Sequence, residues 1–190
     1  MRMLALLTLT AGLLMSNRAT AEDVKVGDPA PSFESKDDSG KVFKSADVVG
    51  KKVVVVYFYP ADFTGGCTKQ ACGFRDDYKK LSDKGVVVLG VSGDSVKTHE
   101  LFKKDHMLPF TLLADESGEV AKKFGVPVKV GAATAKVKVD GKDAVLERGA
   151  TISRWTFVIG KDGKVAYVDK AVKAAEDSKK IQEVVEKLSK

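Results

Sequence analysis

The strongest constraint on the fold is the run VVVVYFY at residues 53–59, followed at once by Pro60. An apolar stretch this short, and this rich in β-branched and aromatic residues, reads as a fully buried strand. Pro60 ends it, because proline cannot donate to a sheet ladder. Residues 61–66 then form a short loop with two glycines. A helix follows, since Ala71, Phe74, Tyr78 and Leu81 recur at the spacing of one helical face. Cys67 therefore falls where a strand has ended and a helix is beginning.

That place bears on the chemistry of the thiol. The first-turn amides of a helix lack intrahelical partners and present roughly half a positive charge. An anion is stabilised there, so the thiol is expected to ionise below the ordinary ~8.5, and the thiolate is the nucleophile. Cys72 lies five residues on. In a regular helix that offset separates the Cα atoms by roughly 8.7 Å, whereas a disulfide needs about 7 Å or less. A Cys67–Cys72 bond would require the first turn or two to unwind, which makes it a switched bond rather than a staple. Two cysteines in an exported domain more usually form a structural disulfide, and that reading stands beside the redox one.

The flanking residues tip the balance towards redox chemistry. PADFTGGC, Pro60 to Cys67, fits the P-x-x-x-T-x-x-C signature of peroxiredoxins, and GCTKQAC resembles their bacterioferritin-comigratory or Q-type subgroup. RWTFVIGKDGKV, Arg154 to Val165, is similar to the family's Arg-bearing strand and hairpin, and the likeness covers most of the chain from Val24 onward. Gly65 stands where the subgroup usually has proline. The resemblance implies an α/β, thioredoxin-like fold of the peroxiredoxin type, with a central mixed β-sheet flanked by helices. It implies reduction of hydrogen peroxide and alkyl hydroperoxides, with Cys67 peroxidatic, Cys72 resolving, and a thioredoxin-like dithiol protein as reductant. Thr64 would supply a hydroxyl to the thiolate pocket, Arg154 would face the cysteine across the sheet, and Pro60 would shield the site from water. The subgroup is often monomeric, which allows a monomer here and leaves the oligomeric state open.

Each of these residues also has a plainer reading. Thr64 suits an N-cap, Arg154 a surface charge at a strand start, and Pro60 mere punctuation. Gln70, one turn after Cys67, is a candidate support for the arginine. His99 and His106 fall on a charged helix without ligand spacing to the cysteines, so they read as solvated surface residues. Two sulfurs with no nearby imidazole are too few for zinc or copper, and TGGC lacks both a Walker lysine and G-x-G-x-x-G. No cofactor or metal is implied.

Met1 to Ala21 looks like a secretory signal peptide, with Arg2, an apolar stretch from Met3 to Met15, and the small-residue site Ala19-Thr20-Ala21. That stretch is too short to span ~30 Å of hydrocarbon, although Arg18 so near the cut leaves room for an uncleaved tether. The expected organisation is a leader, 1–21, and one domain, 22–190, exported to the periplasm with no membrane segment in the mature form. The chain carries 32 basic against 26 acidic residues. Arg2 and Arg18 lie in the leader, which leaves 30 against 26, a charge of +4. The lysines are scattered among acids with no basic stripe, which argues against nucleic-acid binding.

Beyond the cysteine helix the pattern alternates. Gly85 reads as a helix C-cap, Val86 to Val91 as a strand, Val96 to His106 as a helix, Leu108 to Ala114 as a strand broken by Pro109, and Glu119 to Phe124 as a short helix. Such alternation argues for an α/β sheet. Residues 24–44 hold short extended pieces, an N-terminal hairpin by the resemblance. Residues 128–150, with Asp140-Gly141 between alternating segments, suggest a longer-than-usual hairpin that shapes either the active-site rim or a subunit contact. A strand at Trp155 to Ile159, a turn at 161–163, a strand at Val165 to Val168 and a helix with Ile181, Val184, Val185 and Leu188 on one stripe complete the chain. Two rival functions remain at this level: an exported thiol–disulfide exchanger, which would normally show C-x-x-C, and a non-catalytic binding domain with a structural bridge.

Overall fold

The computed structural model describes residues 23–139 and 141–188. The leader at 1–21 lies outside them, as does Asp140 of the expected turn. The N-terminal hairpin is β1 (Glu34–Asp37) and β2 (Val42–Lys44). There follow β3 (Val54–Phe58), α1 (Gly65–Ser82), β4 (Val87–Ser92), α2 (Val96–Asp105), β5 (Thr111–Ala114) and α3 (Glu119–Lys123). A long ribbon, β6 (Val128–Val139) and β7 (Lys142–Ile152), precedes β8 (Trp155–Ile159), β9 (Val165–Asp169) and α4 (Asp177–Leu188).

Seven strands make one mixed sheet in the order β2-β1-β5-β4-β3-β8-β9. β3, β4 and β5 run parallel, joined by the helical crossovers that parallel pairing requires. β8 lies antiparallel on the other side of β3, with Phe58 opposite Trp155. That register carries Arg154, the residue before β8, to the end of β3 where the loop into α1 begins.

The run at 53–59 is buried on both faces, as its composition demands. Val55, Tyr57 and Tyr59 pack with Ala71, Phe74 and Leu81 of α1, Phe102 of α2, and Ile181 and Val185 of α4. Val54, Val56 and Phe58 pack on the opposite face with Phe33, Phe124 and Phe157. Phe74 stacks on Tyr57 at 4.8 Å between centroids. Truncating such a ring to alanine costs on the order of 3–5 kcal/mol.

Helix α1 ends through Gly85, whose φ of 72° is left-handed. Its N–H reaches the Ser82 carbonyl and that of Val86 reaches Leu81, the paired bonds of a Schellman stop. The strand expected from Leu108 begins only at Thr111; Leu108 and Phe110 are buried beside it without joining the ladder. On α4, Ile181 and Val185 are buried, whereas Leu188 is 44% exposed, so the packed stripe is narrower than its apolar residues suggest. No helix among the described residues is long and apolar enough to cross a membrane.

β6 and β7 form a separate two-stranded ribbon. Its root is clamped to the β4–α2 loop: Ser95 N–H donates to the Glu147 carbonyl at 2.8 Å, and Gly149 N–H to that of Gly93 at 2.9 Å. A Cβ on Gly93 would overlap the Ala150 carbonyl, and one on Gly149 that of Glu116. Both obstacles are backbone, so only glycine allows the approach.

Candidate active site

The strand–loop–helix junction builds the site. Thr64 sits at the N-cap position of α1 with extended φ and ψ of −84° and 145°, but its side chain makes no capping bond. Its hydroxyl instead donates back to the Ala61 carbonyl at 3.0 Å. With that proton committed, its lone pairs are what it offers to a ligand. Gly65 and Gly66 open the first turn, exposed to solvent, and Cys67 follows in the same turn with only 1% of its surface accessible. Both cysteines are free thiols within the unbroken α1, Cys67 buried and Cys72 half-buried.

Arg154 Nη2 donates to Cys67 Sγ at 3.1 Å, and Nη1 of the same guanidinium donates to Gln70 Oε1. Gln70 is fully buried one turn along α1, and its amide nitrogen reaches Asp177 at the start of α4. The guanidinium lies over Gly66, where a Cβ would stand 3.4 Å from Nη2, an ordinary van der Waals contact. Pro60 lines a groove of about 350 Å³ with Pro127, Val128 and Ile152. Arg154 thus touches both Cys67 and Gln70, and Thr64 stands at the N-terminus of the same helix, whereas the groove that Pro60 lines after β3 includes none of these residues.

The AhpC/TSA family model matches residues 26–168. The chain belongs to the AhpC/TSA family. It is 41% identical over 152 residues to the chloroplastic peroxiredoxin Q of Oryza sativa subsp. japonica, covering 80% of this chain and 62% of that one. A protein named as a bcp-type peroxiredoxin in Coxiella burnetii is 44% identical over 150 residues, 79% of this chain and 91% of its own. Among solved structures, the peroxidoxin BcpB of Mycobacterium tuberculosis superposes with a TM-score of 0.71 at 31% identity, over 86% of this chain and 97% of its own. The chain spans 58–68% of the length of the chloroplastic peroxiredoxins Q that it matches. Its mixed sheet and helices are the thioredoxin-like fold of peroxiredoxins.

Within this AhpC/TSA member, a second polar cluster lies behind the loop, and the sequence did not suggest it. His99 is fully buried, not solvated as its charged helix implied. Its Nδ1 stands 2.7 Å from Asp62 Oδ2 and its Nε2 3.2 Å from the Leu113 carbonyl. The carbonyl can only accept, so Nε2 carries a proton and Nδ1 faces the Asp62 carboxylate. Asp62 also accepts the Tyr59 hydroxyl at 2.7 Å, and its own N–H donates to Asp94 Oδ2. Burial alone would push His99 down, but the charge and hydrogen bond of Asp62 outweigh it and His99 is raised. Burial and the neighbouring Asp62 push the Asp94 carboxyl up to about 6. His106 is only partly solvated, its ring packed against Phe63 and Phe102. A signal was present: His99, Phe102 and His106 recur at helical spacing, one face turned inward. Among the described residues no three such side chains are placed to hold a metal ion.

This cluster anchors a strained turn. Phe63 adopts φ 58°, a left-handed conformation costing a bulky residue about 1–2 kcal/mol. Its ring is held against Phe102 at 5.1 Å and His106 at 5.7 Å, while Asp62 is pinned on its other side. The β6–β7 ribbon closes over the same loop, leaving a cavity of about 140 Å³ lined in part by Phe63, Thr64, Ala133, Leu146 and Arg148. The long hairpin therefore shapes the rim of the site.

Proposed function

We propose that this chain is a thiol peroxidase that reduces hydrogen peroxide and alkyl hydroperoxides. The single observation carrying the reading is the Arg154 guanidinium donating to a buried first-turn sulfur, Cys67 Sγ, at 3.1 Å. The guanidinium and the first-turn amides stabilise negative charge on sulfur and on the oxygen that departs. The Cys67 thiolate attacks the terminal oxygen of ROOH. The S–O bond forms, the O–O bond breaks, and the alkoxide takes a proton to leave as ROH, with Cys67 oxidised to sulfenic acid. Thr64, its proton already given to Ala61, accepts the hydroperoxide O–H and orients it.

Cys72 then attacks the sulfenic sulfur, water leaves, and a Cys67–Cys72 disulfide forms. The start of α1 must unwind for that step, because an offset of five residues in an intact helix holds the two Cα atoms farther apart than a disulfide spans. A thioredoxin-like dithiol restores both thiols and is itself oxidised to a disulfide. The organisation that accompanies this reading is a cleaved leader at 1–21, one domain at 22–190, export to the periplasm and a monomer.

The test is peroxide consumption under a dithiol reductant. The native protein turns over; Cys67→Ser does not; Cys72→Ser is oxidised once at Cys67. Reduction of insulin disulfides without peroxide consumption would overturn the reading in favour of a thiol–disulfide exchanger. Retention of both thiols in the presence of peroxide would overturn it in favour of a binding domain.

A further inference from the structure

Arg154 can hold the sulfur only while an acceptor holds Arg154. Gln70 is that acceptor, yet a carboxamide offers oxygen on one side and two N–H donors on the other. Turned over, it would set its N–H groups against the guanidinium. What fixes the turn lies at its far end. Gln70 Nε2 donates to Asp177 Oδ2 at 2.7 Å, across 107 positions of sequence. The same oxygen accepts the Thr156 hydroxyl at 2.8 Å, from β8 two residues after Arg154. Asp177 is the first residue of α4, 3% exposed, where the helix N-terminus favours a carboxylate.

We propose that Asp177 is a positioning residue for the chemistry of Cys67: by accepting the Gln70 amide it turns the Gln70 oxygen towards Arg154, and so aims the guanidinium at the sulfur. A carboxylate has only acceptors, so Gln70 has one orientation that satisfies both neighbours. Oδ1 of Asp177 has no partner among the described residues. Burial raises the Asp177 carboxyl against the lowering bonds from Gln70 and Thr156, with Asp169 and Arg154 the charged groups acting on it. A proton taken up would sit on Oδ1, and Oδ2 would accept as before. The proposal extends the peroxidase reading, and only the peroxide arm of its test depends on that reading.

The test uses the full chain with Cys72→Ser, so that Cys67 is the one thiol. Its alkylation by iodoacetamide is followed against pH, and its oxidation by hydrogen peroxide in rapid mixing. Asp177→Ala is expected to move the pH midpoint of alkylation upward and to slow peroxide oxidation at least tenfold. Asp177→Asn stays within threefold, because an amide oxygen accepts from the same two donors. Adding Gln70→Glu to Asp177→Ala returns the rate to within fivefold, since a carboxylate presents oxygen on either side. A folded Asp177→Ala with an unchanged alkylation profile would overturn the proposal, as would Asp177→Asn being equally impaired or a double variant showing no recovery. Should Asp177→Ala not fold, the unmutated protein decides: the Gln70 side-chain amide is expected to exchange at least tenfold more slowly than that of Gln182, and equal exchange overturns the proposal. If the native protein does not react with peroxide, the alkylation arm still gives the answer, so the two failures are distinct.

Discussion

Arg154 Nη2 and Cys67 Sγ lie 3.1 Å apart although 87 positions separate them in the chain. The pairing of Phe58 with Trp155 brings them together: it sets the residue before β8 beside the loop that follows β3. A charge placed by a strand register is a rigid one, and rigid donors cost no reorganisation when negative charge develops.

Replacing Arg154 by methionine is accordingly expected to slow peroxide oxidation of Cys67 by about 10²–10³-fold. Arg154→Lys should fall between the two. It keeps the charge, but a single ammonium cannot span Gln70 and the sulfur as the planar fork does. Rapid-mixing rates for the three proteins check the order, and an Arg154→Lys rate equal to the native one would contradict it.

Gly65 makes a second prediction. It is the first residue of α1, it has open space where a side chain would go, and Thr64 before it is already extended. Proline fits all three conditions. Gly65→Pro should stabilise the chain by about 0.4–1 kcal/mol, mostly through the unfolded state. It should also slow disulfide formation after oxidation, because the turn that must unwind is stiffer. Thermal melts and the rate of the second kinetic phase measure the two effects.

The buried carboxylates and His99 give the fold a pH slope. The folded chain holds a proton on Asp94 up to about pH 6, whereas an ordinary aspartate releases it near 3.8. Stability from Asp94 is thus full below about pH 4 and is lost as pH climbs through 6. Asp115 and Asp177, raised by burial, act in the same sense. So does His99, whose contribution is present below its ordinary 6.5 and fades above its raised value. Asp37 and Asp77 are lowered, their hydrogen bonds outweighing slight burial, but they act only at still lower pH. The melting temperature should therefore fall between pH 4 and 8. Asp94→Asn should remove roughly 2 kcal/mol of the loss between pH 4 and 6, and an unchanged slope in that variant would contradict the assignment.

The central buried strand and the cysteine helix could be read from local pattern, because VVVVYFY, Pro60 and the spacing of Ala71, Phe74 and Leu81 each act within a few residues, whereas the order of the strands rests on pairings between distant segments. Thr64 was less legible. It occupies the N-cap position, but its hydroxyl turns back to Ala61 rather than to the helix amides. His99 misleads in the sequence because the lysines and glutamate around it suggest a wet surface, while its own position faces Asp62, 37 residues away. Asp177 gave no local sign, since its meaning lies in a bond to Gln70 over 107 positions. Polar partners that meet through the tertiary fold leave no period in the sequence.

The most direct measurement mixes the fully reduced protein with one equivalent of hydrogen peroxide, counts thiols over time, and maps the oxidised peptide. A fast loss of one thiol, at Cys67, is expected, then a slower loss of the second with a Cys67–Cys72 bridge, while Cys72→Ser shows the first phase alone. Two thiols persisting in the native protein, or a fast phase surviving in Cys67→Ser, would contradict the peroxidase reading.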